Sequence, residues 1–294
     1  LFVVFEDGSS KKLGSRLLLA RKSNRVPFKS LENPMLAYKA YDPYQSWLAL
    51  NKSSANHLRY WVNLDSETKS KPLYPFIMPV YNSSLPFLQE TILSIMEQTY
   101  ENWELCITDD GSDDSQVIEY LQRLQSRDNR VKFFRRMENG GIALATNDAI
   151  ALSKGAYLVF VDHDDLVEPT ALSEINAYLE KNPKTDFLYT DDDKIDVSGK
   201  RYAPQFKPDW SPELLLSYCY VSHMKIARAV TSAKIGHMRE GFEGSQDYDY
   251  VLRLSEVCRE IGHLPRILYH WRALPGSTAT SGAAKPNAFD AGLR

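Results

Sequence analysis

From residue 73 the chain alternates short apolar runs with amphipathic stretches, and several of the apolar runs stop abruptly on acid. "LYPFIMPVY", "WELCITDDG", "VKFFRR", "AYLVFV" and "DFLYT" are runs of strand length. Between them, "LPFLQETILSIMEQT" sets Leu88, Ile92, Ile95 and Met96 on one helical face. "SQVIEYLQRLQSR" predicts a second helix, "GGIALATNDAIALSKG" an Ala-rich helix closed at Lys154 and Gly155, and "PTALSEINAYLEKN" a fourth. Strands that are apolar throughout must be covered on both faces. The alternation therefore predicts an α/β fold: a mainly parallel sheet flanked by helices.

Residues 1–72 have a different texture and are read as an N-terminal, partly helical extension, leaving residues 73–294 as the sheet domain. Within the extension, "DPYQSWLALNKSSANHLRYWVNL" places Tyr44, Trp47, Leu48, Leu58, Trp61 and Val62 near helical spacing. Asp42 is the expected cap and Pro43 the first helical residue. The aromatic stripe is read as core packing, and "SETKSKPLYP" as a linker.

Composition narrows the function classes. A formal charge of −3 over 294 residues gives no broad basic surface, which argues against a nucleic-acid partner. Cys106, Cys219 and Cys258 form no CxxC pair, so free buried thiols in a reducing, cytoplasmic setting are expected rather than disulfides or zinc. No apolar run approaches the ~18–20 residues of a membrane span. The chain opens on Leu1 and stops at Arg294 inside a helix-like stretch, and is read as part of a longer protein.

The acids carry the chemistry. Asp109, Asp110, Asp162, Asp164, Asp191 and Asp192 all fall just after predicted strands. Ligands of open parallel sheets bind at the carboxyl ends of the strands, so these acids are expected along one rim, neutralised by a cation. In "VFVDHDD", one further extended step past Val161 points Asp162 and Asp164 to the same side. Their hard oxygens suit Mg²⁺ or Mn²⁺, which keep positions open for substrate phosphates. The plain alternative is a turn in which Asp165 caps the next helix. "CITDDGSDD" is either a tight turn or a carboxylate placed to accept from a nucleobase N–H. Asp247 in "EGFEGSQDYDYVLRL" stands at a helix start, where it or Ser245 could serve simply as a cap. His270 in "RILYHWRALPGSTA" closes a strand, and a lone histidine is more often structural than catalytic.

Together, "PFIMPVYN", "ELCITDDGSDD", "NGGIALATNDAI", "VFVDHDD", "GSQDYDYVLRL" and "YHWR" resemble, in order and rough spacing, the family 2 glycosyltransferases. These are inverting nucleotide-sugar enzymes of the GT-A fold, a Rossmann-like sheet. "YTDDDKID", "FKPDWSPELLLSY" and "HWRALPGSTA" are similar to segments of the members that extend bacterial surface polysaccharides, including rhamnosyltransferase-like enzymes. The resemblance spans roughly residues 74 to 280.

It implies a metal-dependent, hexosyltransferase-type enzyme that moves a sugar from a UDP- or dTDP-linked donor to a saccharide hydroxyl. The acceptor is expected to be lipid-linked and met at the inner face of the cytoplasmic membrane, with any peripheral membrane association made through regions outside this chain. Mn²⁺ or Mg²⁺ would be held by Asp164 and Asp162, the latter also near the ribose, with His270 on the metal or the diphosphate. Pro79, Tyr81 and Asp110, with Asp109 adjacent, would hold the base, and Asp247 would be the general base. Asp192 is a further expected contact for the sugar or acceptor, and Trp210 and Tyr218 offer flat faces to sugar rings. Thr146 departs from the family, where Arg is common, and Gln246 stands where Glu is commoner. A non-catalytic nucleotide- or glycan-binding scaffold is the alternative. A sugar-phosphate nucleotidyltransferase is disfavoured because "IMPVYN" has no glycine-rich loop with Arg and Lys.

Overall fold

The computed structural model describes residues 3–4, 10–11, 42–51, 54–68, 70–274 and 291–292. The chain divides into two compact units, residues 1–47 and 48–294. In the first, β1 (Val3–Val4) pairs antiparallel with β2 (Ser10–Lys11). The predicted cap is present: Asp42 Oδ1 accepts from the N–H groups of Tyr44 (2.9 Å) and Gln45 (3.2 Å) at the start of α1 (Pro43–Asn51). The expected single amphipathic helix is in fact two. Ser54 accepts from His57 N–H and begins α2 (Ala55–Glu67). Although α2 precedes the boundary expected at residue 72, it is tied to the sheet domain through a hydrogen bond from Ser173 to buried Asp65.

The sheet is built from β3 (Tyr74–Val80), β4 (Trp103–Asp109), β5 (Val131–Arg135), β6 (Tyr157–Phe160), β7 (Leu166–Val167), β8 (Phe187–Ile195), β9 (Arg201–Gln205), β10 (Lys225–Arg228) and β11 (Ile261–Arg272). Its order is β5-β4-β3-β6-β10-β8-β11-β7, with β9 added to β8. Helices α3 (Leu85–Met96), α4 (Ser115–Arg127), α5 (Ile142–Leu152) and α6 (Ala171–Lys181) follow the first strands as predicted; α7 (Pro212–Leu215), α8 (Ala229–Ile235) and α9 (Gln246–Ser255) complete the domain. Leu88, Ile92 and Ile95 of α3 are buried, whereas Met96 is partly exposed. All seven residues of β4 are buried, as a strand covered on both faces requires.

The sheet is mainly parallel, as expected, with antiparallel strands at three positions. β5, β4, β3 and β6 run parallel, and so do β8 and β11; β10 is antiparallel to both β6 and β8, and β7 and β9 are antiparallel additions. The sheet is therefore mixed α/β. Gly155, expected to stop α5, has a different reason to be glycine. A Cβ there would lie 2.2 Å from Pro75 Cδ and 2.3 Å from Leu73 O, so the chain can enter β6 only without a side chain.

One expectation about the rim is corrected. The predicted strand "DFLYT" continues to Ile195, so Asp191, Asp192 and Asp193 lie within β8 and are buried. Each has a cationic or imidazole partner: His263 for Asp191 (3.0 Å), Lys207 for Asp192 (2.6 Å), and Arg201 and His270 for Asp193 (both 2.6 Å). A run of acids can continue a central strand when neighbouring strands supply the countercharge. Asp192 is thus a structural group paired with Lys207, away from the cavity described below.

Asp186, just before β8, anchors the opposite end of the sheet. Its buried carboxylate accepts from Arg228 Nε (2.7 Å) and from Arg259 Nη2 (2.6 Å), and these arginines hold it well below the ordinary carboxylate range. Because the folded-state value is depressed, the stabilisation is full above the unfolded value of about 3.9 and is lost as pH falls below it. Asp186→Asn is expected to cost about 2–3 kcal/mol at neutral pH, discounted because Arg259 is largely exposed. Urea denaturation should show that deficit shrinking as the pH is lowered below about 4.

Candidate active site

The carboxyl ends of β3 and β6 open into a cavity of about 520 Å³, walled by α5 on one side and by α9 and the segment before β10 on the other. Pro79, Thr146, Asp162, His223, Lys225 and Asp247 all line it. Residues far apart in sequence meet here because β10 inserts between β6 and β8, setting Lys225 opposite Phe160 in register. Asp162 follows two residues later.

The turn after β6 is fixed by the last strand. Asp165 is buried and accepts from Tyr269 Oη (2.6 Å) and from Arg272 N–H (2.7 Å). Tyr269 Oη in turn accepts from Asp162 N–H (3.0 Å), and Arg272 Nε donates to Asp164 O (2.6 Å). Asp165 is therefore no helix cap; it joins the acid-rich turn to β11. Burial, then Asp162, pushes its carboxyl well up, while burial, then Asp164, pushes Asp162 up. Two carboxyls so placed favour either a proton or a cation between them.

A cation has a fitting donor set. One atom each of Asp162, Asp165 and His223 lies within 4.8 Å of the others. Burial, then Lys225, holds His223 well below its ordinary pKa, in the neutral form a ligand must have. The ring is stacked on Tyr269 (centroids 4.7 Å apart), and its backbone carbonyl accepts from buried Lys207, so its position is set from both sides.

The expected site residues are distributed unevenly. Pro79, Asp162 and Asp247 share the cavity, and Tyr218 borders it. Asp164 stands beside Asp162, partly buried, without lining the cavity. Tyr81 is 46% exposed just beyond β3. Asp110 is engaged on both oxygens, which accept from Gly140 N–H (2.9 Å) and Gly141 N–H (2.8 Å) and pair with Arg136, thereby holding the start of α5. Asp109 is buried at the end of β4: its Oδ2 accepts from Ser112 N–H (3.1 Å), while no donor among the described residues reaches Oδ1. Trp210 is partly buried and packs against the core, tilted against Tyr189 and Tyr220.

His270 is not brought to Asp162 and Asp164. Its ring nitrogens face Asp193 (2.6 Å) and Glu168 (3.2 Å), which hold its pKa up against the lowering effect of burial. Strand alternation is the reason: Tyr269 and Trp271 carry the cavity side, so the residue between them points to the other face. The imidazole at the cavity is His223. The sequence analysis passed over both His223 and Lys225, and the available signal was that these two, with Ser222, interrupt the otherwise apolar "YVSHMKIA".

This architecture is shared with solved glycosyltransferases. The fold matches S. aureus TarS 1–349 in complex with UDP-GlcNAc at a TM-score of 0.59 and 21% identity, over 71% of this chain and 60% of that one. It also matches the mannosyltransferase PcManGT from Pyrobaculum calidifontis in complex with GDP-Man and Mn²⁺, at a TM-score of 0.53 and 16% identity, over 72% and 63% of the two chains. Residues 76–233 match the family described as Glycosyl transferase family 2, and the chain belongs to that family. The O-antigen biosynthesis protein RfbC of Myxococcus xanthus is 38% identical over 224 residues, which are 76% of this chain and 18% of RfbC. The chain spans a quarter or less of the length of the curated relatives it matches at 38% identity or better.

Among the described residues no helix is long and apolar enough to cross a membrane. Removing the hydroxyl that bridges Asp165 and Asp162 tests the anchoring of the turn. Tyr269→Phe is expected to lower stability by about 1–3 kcal/mol, because a buried acceptor and a backbone donor lose their partner. Equilibrium unfolding in urea would measure it.

Proposed function

We propose that the chain is a metal-dependent, inverting glycosyltransferase that moves a sugar from a UDP- or dTDP-linked donor to a saccharide hydroxyl in bacterial polysaccharide synthesis. The observation that carries this reading is the placement of Asp162 and Asp247 on one cavity at the carboxyl rim of a family 2 domain. UDP-GlcNAc bound by TarS and the O-antigen role of RfbC support the donor and acceptor classes. Three free cysteines accord with a cytoplasmic setting.

In this reading the nucleotide enters along the ends of β3 and β4. Pro79 and Tyr81 flank the base, and Asp109, with its unpartnered Oδ1, replaces Asp110 as the acceptor for a base N–H. Asp162, Asp165 and His223, whose donor atoms converge, hold the cation, with Asp164, the ligand the family resemblance implies, beside them. Bound there, Mn²⁺ or Mg²⁺ would supply Lewis-acid neutralisation of the diphosphate. Mn²⁺ in the PcManGT complex supports that choice.

Asp247 stands in the first turn of α9, with its carboxylate on the cavity. It takes the proton of the acceptor hydroxyl as the oxygen attacks the anomeric carbon from the face opposite the nucleotide. The new glycosidic C–O bond forms as the bond to the diphosphate breaks. The nucleoside diphosphate leaves with the electron pair, and the anomeric configuration is inverted. Tyr218, 55% exposed at the cavity mouth, offers a flat face to the acceptor sugar.

Two measurements test the assignment. Asp247→Asn is expected to lower kcat by about 10²–10⁴-fold with nucleotide binding retained; undiminished turnover would remove Asp247 from the role. His223→Ala is expected to weaken Mn²⁺ binding at least ~10-fold, read from the electron paramagnetic resonance signal of free Mn²⁺, whereas folded His270→Ala keeps wild-type affinity. The reverse pattern would restore His270 as the ligand.

A further inference from the structure

Among the described residues, Lys225 is the one lysine or arginine on the cavity lining. Its side chain is only 4% exposed. The ammonium donates to Ser222 O (2.5 Å) and lies 3.4 Å from Asp247 Oδ2. Its stem starts at the first residue of β10, with the Cα held opposite Phe160 on one neighbouring strand and Tyr189 on the other. The backbone end is thus fixed by two strands, while four methylenes leave the charged end able to turn.

The pairing with Asp247 conflicts with the role proposed for that carboxylate. A general base must present a free oxygen to the acceptor hydroxyl, whereas Oδ2 faces the ammonium and Oδ1 accepts from Tyr248 N–H (2.9 Å). The contact is also long, since a charge-assisted N–H···O bond closes to about 2.7–2.9 Å. An ammonium anchored on Ser222 O but only loosely paired with Asp247 can exchange that carboxylate for a stronger anion entering the same space. A nucleotide sugar brings one, because its diphosphate carries two charges against the single charge of Asp247. The α5 wall provides no competing cation: Thr146 donates its hydroxyl to Ile142 O at 2.7 Å.

We propose that Lys225 is an exchange cation: it rests against Asp247 in the empty cavity and passes to the donor's diphosphate on binding, which frees Asp247 to act as base. The assignment rests on the reading of the cavity as a nucleotide-sugar site. It makes Lys225 a direct diphosphate contact, and it couples donor entry to activation of the acceptor's base.

Isothermal titration of inorganic pyrophosphate, and separately of UDP, into the Mn²⁺-supplemented 294-residue chain tests this. Lys225→Met is expected to weaken pyrophosphate binding about 10–100-fold, the loss of one charged hydrogen bond. Lys225→Arg keeps the charge and should stay within about tenfold of wild type. Asp247→Asn removes the competing anion and should bind pyrophosphate more tightly. Wild-type affinity in Lys225→Met would overturn the role of Lys225 while leaving the donor site standing. If Lys225→Met does not fold, the Asp247→Asn arm decides: equal or weaker pyrophosphate binding overturns the exchange. Failure of the wild-type chain to bind either titrant would remove the donor-site reading and the exchange with it.

Discussion

The site depends on one buried carboxylate. Asp165 accepts from the Tyr269 hydroxyl and the Arg272 N–H, both on β11, and through Tyr269 the same network reaches the backbone of Asp162. An acid deprived of water is costly unless such donors satisfy it, so the turn after β6 has one well-bonded position on β11. That position aims Asp162 into the cavity and leaves Asp164 beside it. Arg272 adds a second strut, reaching Asp164 O and the Glu90 carboxylate of α3. The acid-rich turn is thereby held by the last strand of the sheet, more than a hundred residues away in sequence.

Around the cavity one carboxylate faces a neutral imidazole and another an ammonium. Asp162 faces His223 at 3.7 Å, and Asp247 faces Lys225 at 3.4 Å. Behind them, Lys207 pairs with Asp192 and donates to the carbonyls of Thr190 and Val221 (2.7 Å each), bracing the segment that carries His223. The outer pair Lys207–Asp192 is short (2.6 Å), whereas the two inner pairs are long. Long inner contacts of this kind suit the proposed entry of a charged donor.

Asp109 and Asp110 show how adjacent acids are separated by their surroundings. Asp110 binds the two N–H groups of Gly140 and Gly141, which fixes the entry to α5 and thus the wall that presents Thr146. Asp109 keeps one oxygen that no donor among the described residues reaches. A motif reading treats the pair as interchangeable, but hydrogen-bond geometry does not. The same holds for imidazoles: His270, in the more recognisable motif, is engaged by Asp193 and Glu168, while His223 holds the place at the cavity.

The strand-and-helix rhythm from residue 73, the acids at the ends of β4 and β6, and the start of α9 at Asp247 were legible in the letters. Each rests on local periodicity or on turn chemistry spanning a few residues, and the family followed from their order. Three features were not legible: the antiparallel insertion of β10, the burial of Asp191, Asp192 and Asp193 inside β8, and the choice between His223 and His270. Each is decided by which strand lies beside which and by the side on which a residue falls in the pleat. Such pairings join positions tens of residues apart and leave no periodic trace in the chain. The sequence by itself therefore determined the kind of chemistry and the end of the sheet where it belongs. The tertiary structure alone decided which acids, which imidazole and which lysine face one another there, because the register of distant strands sets those meetings.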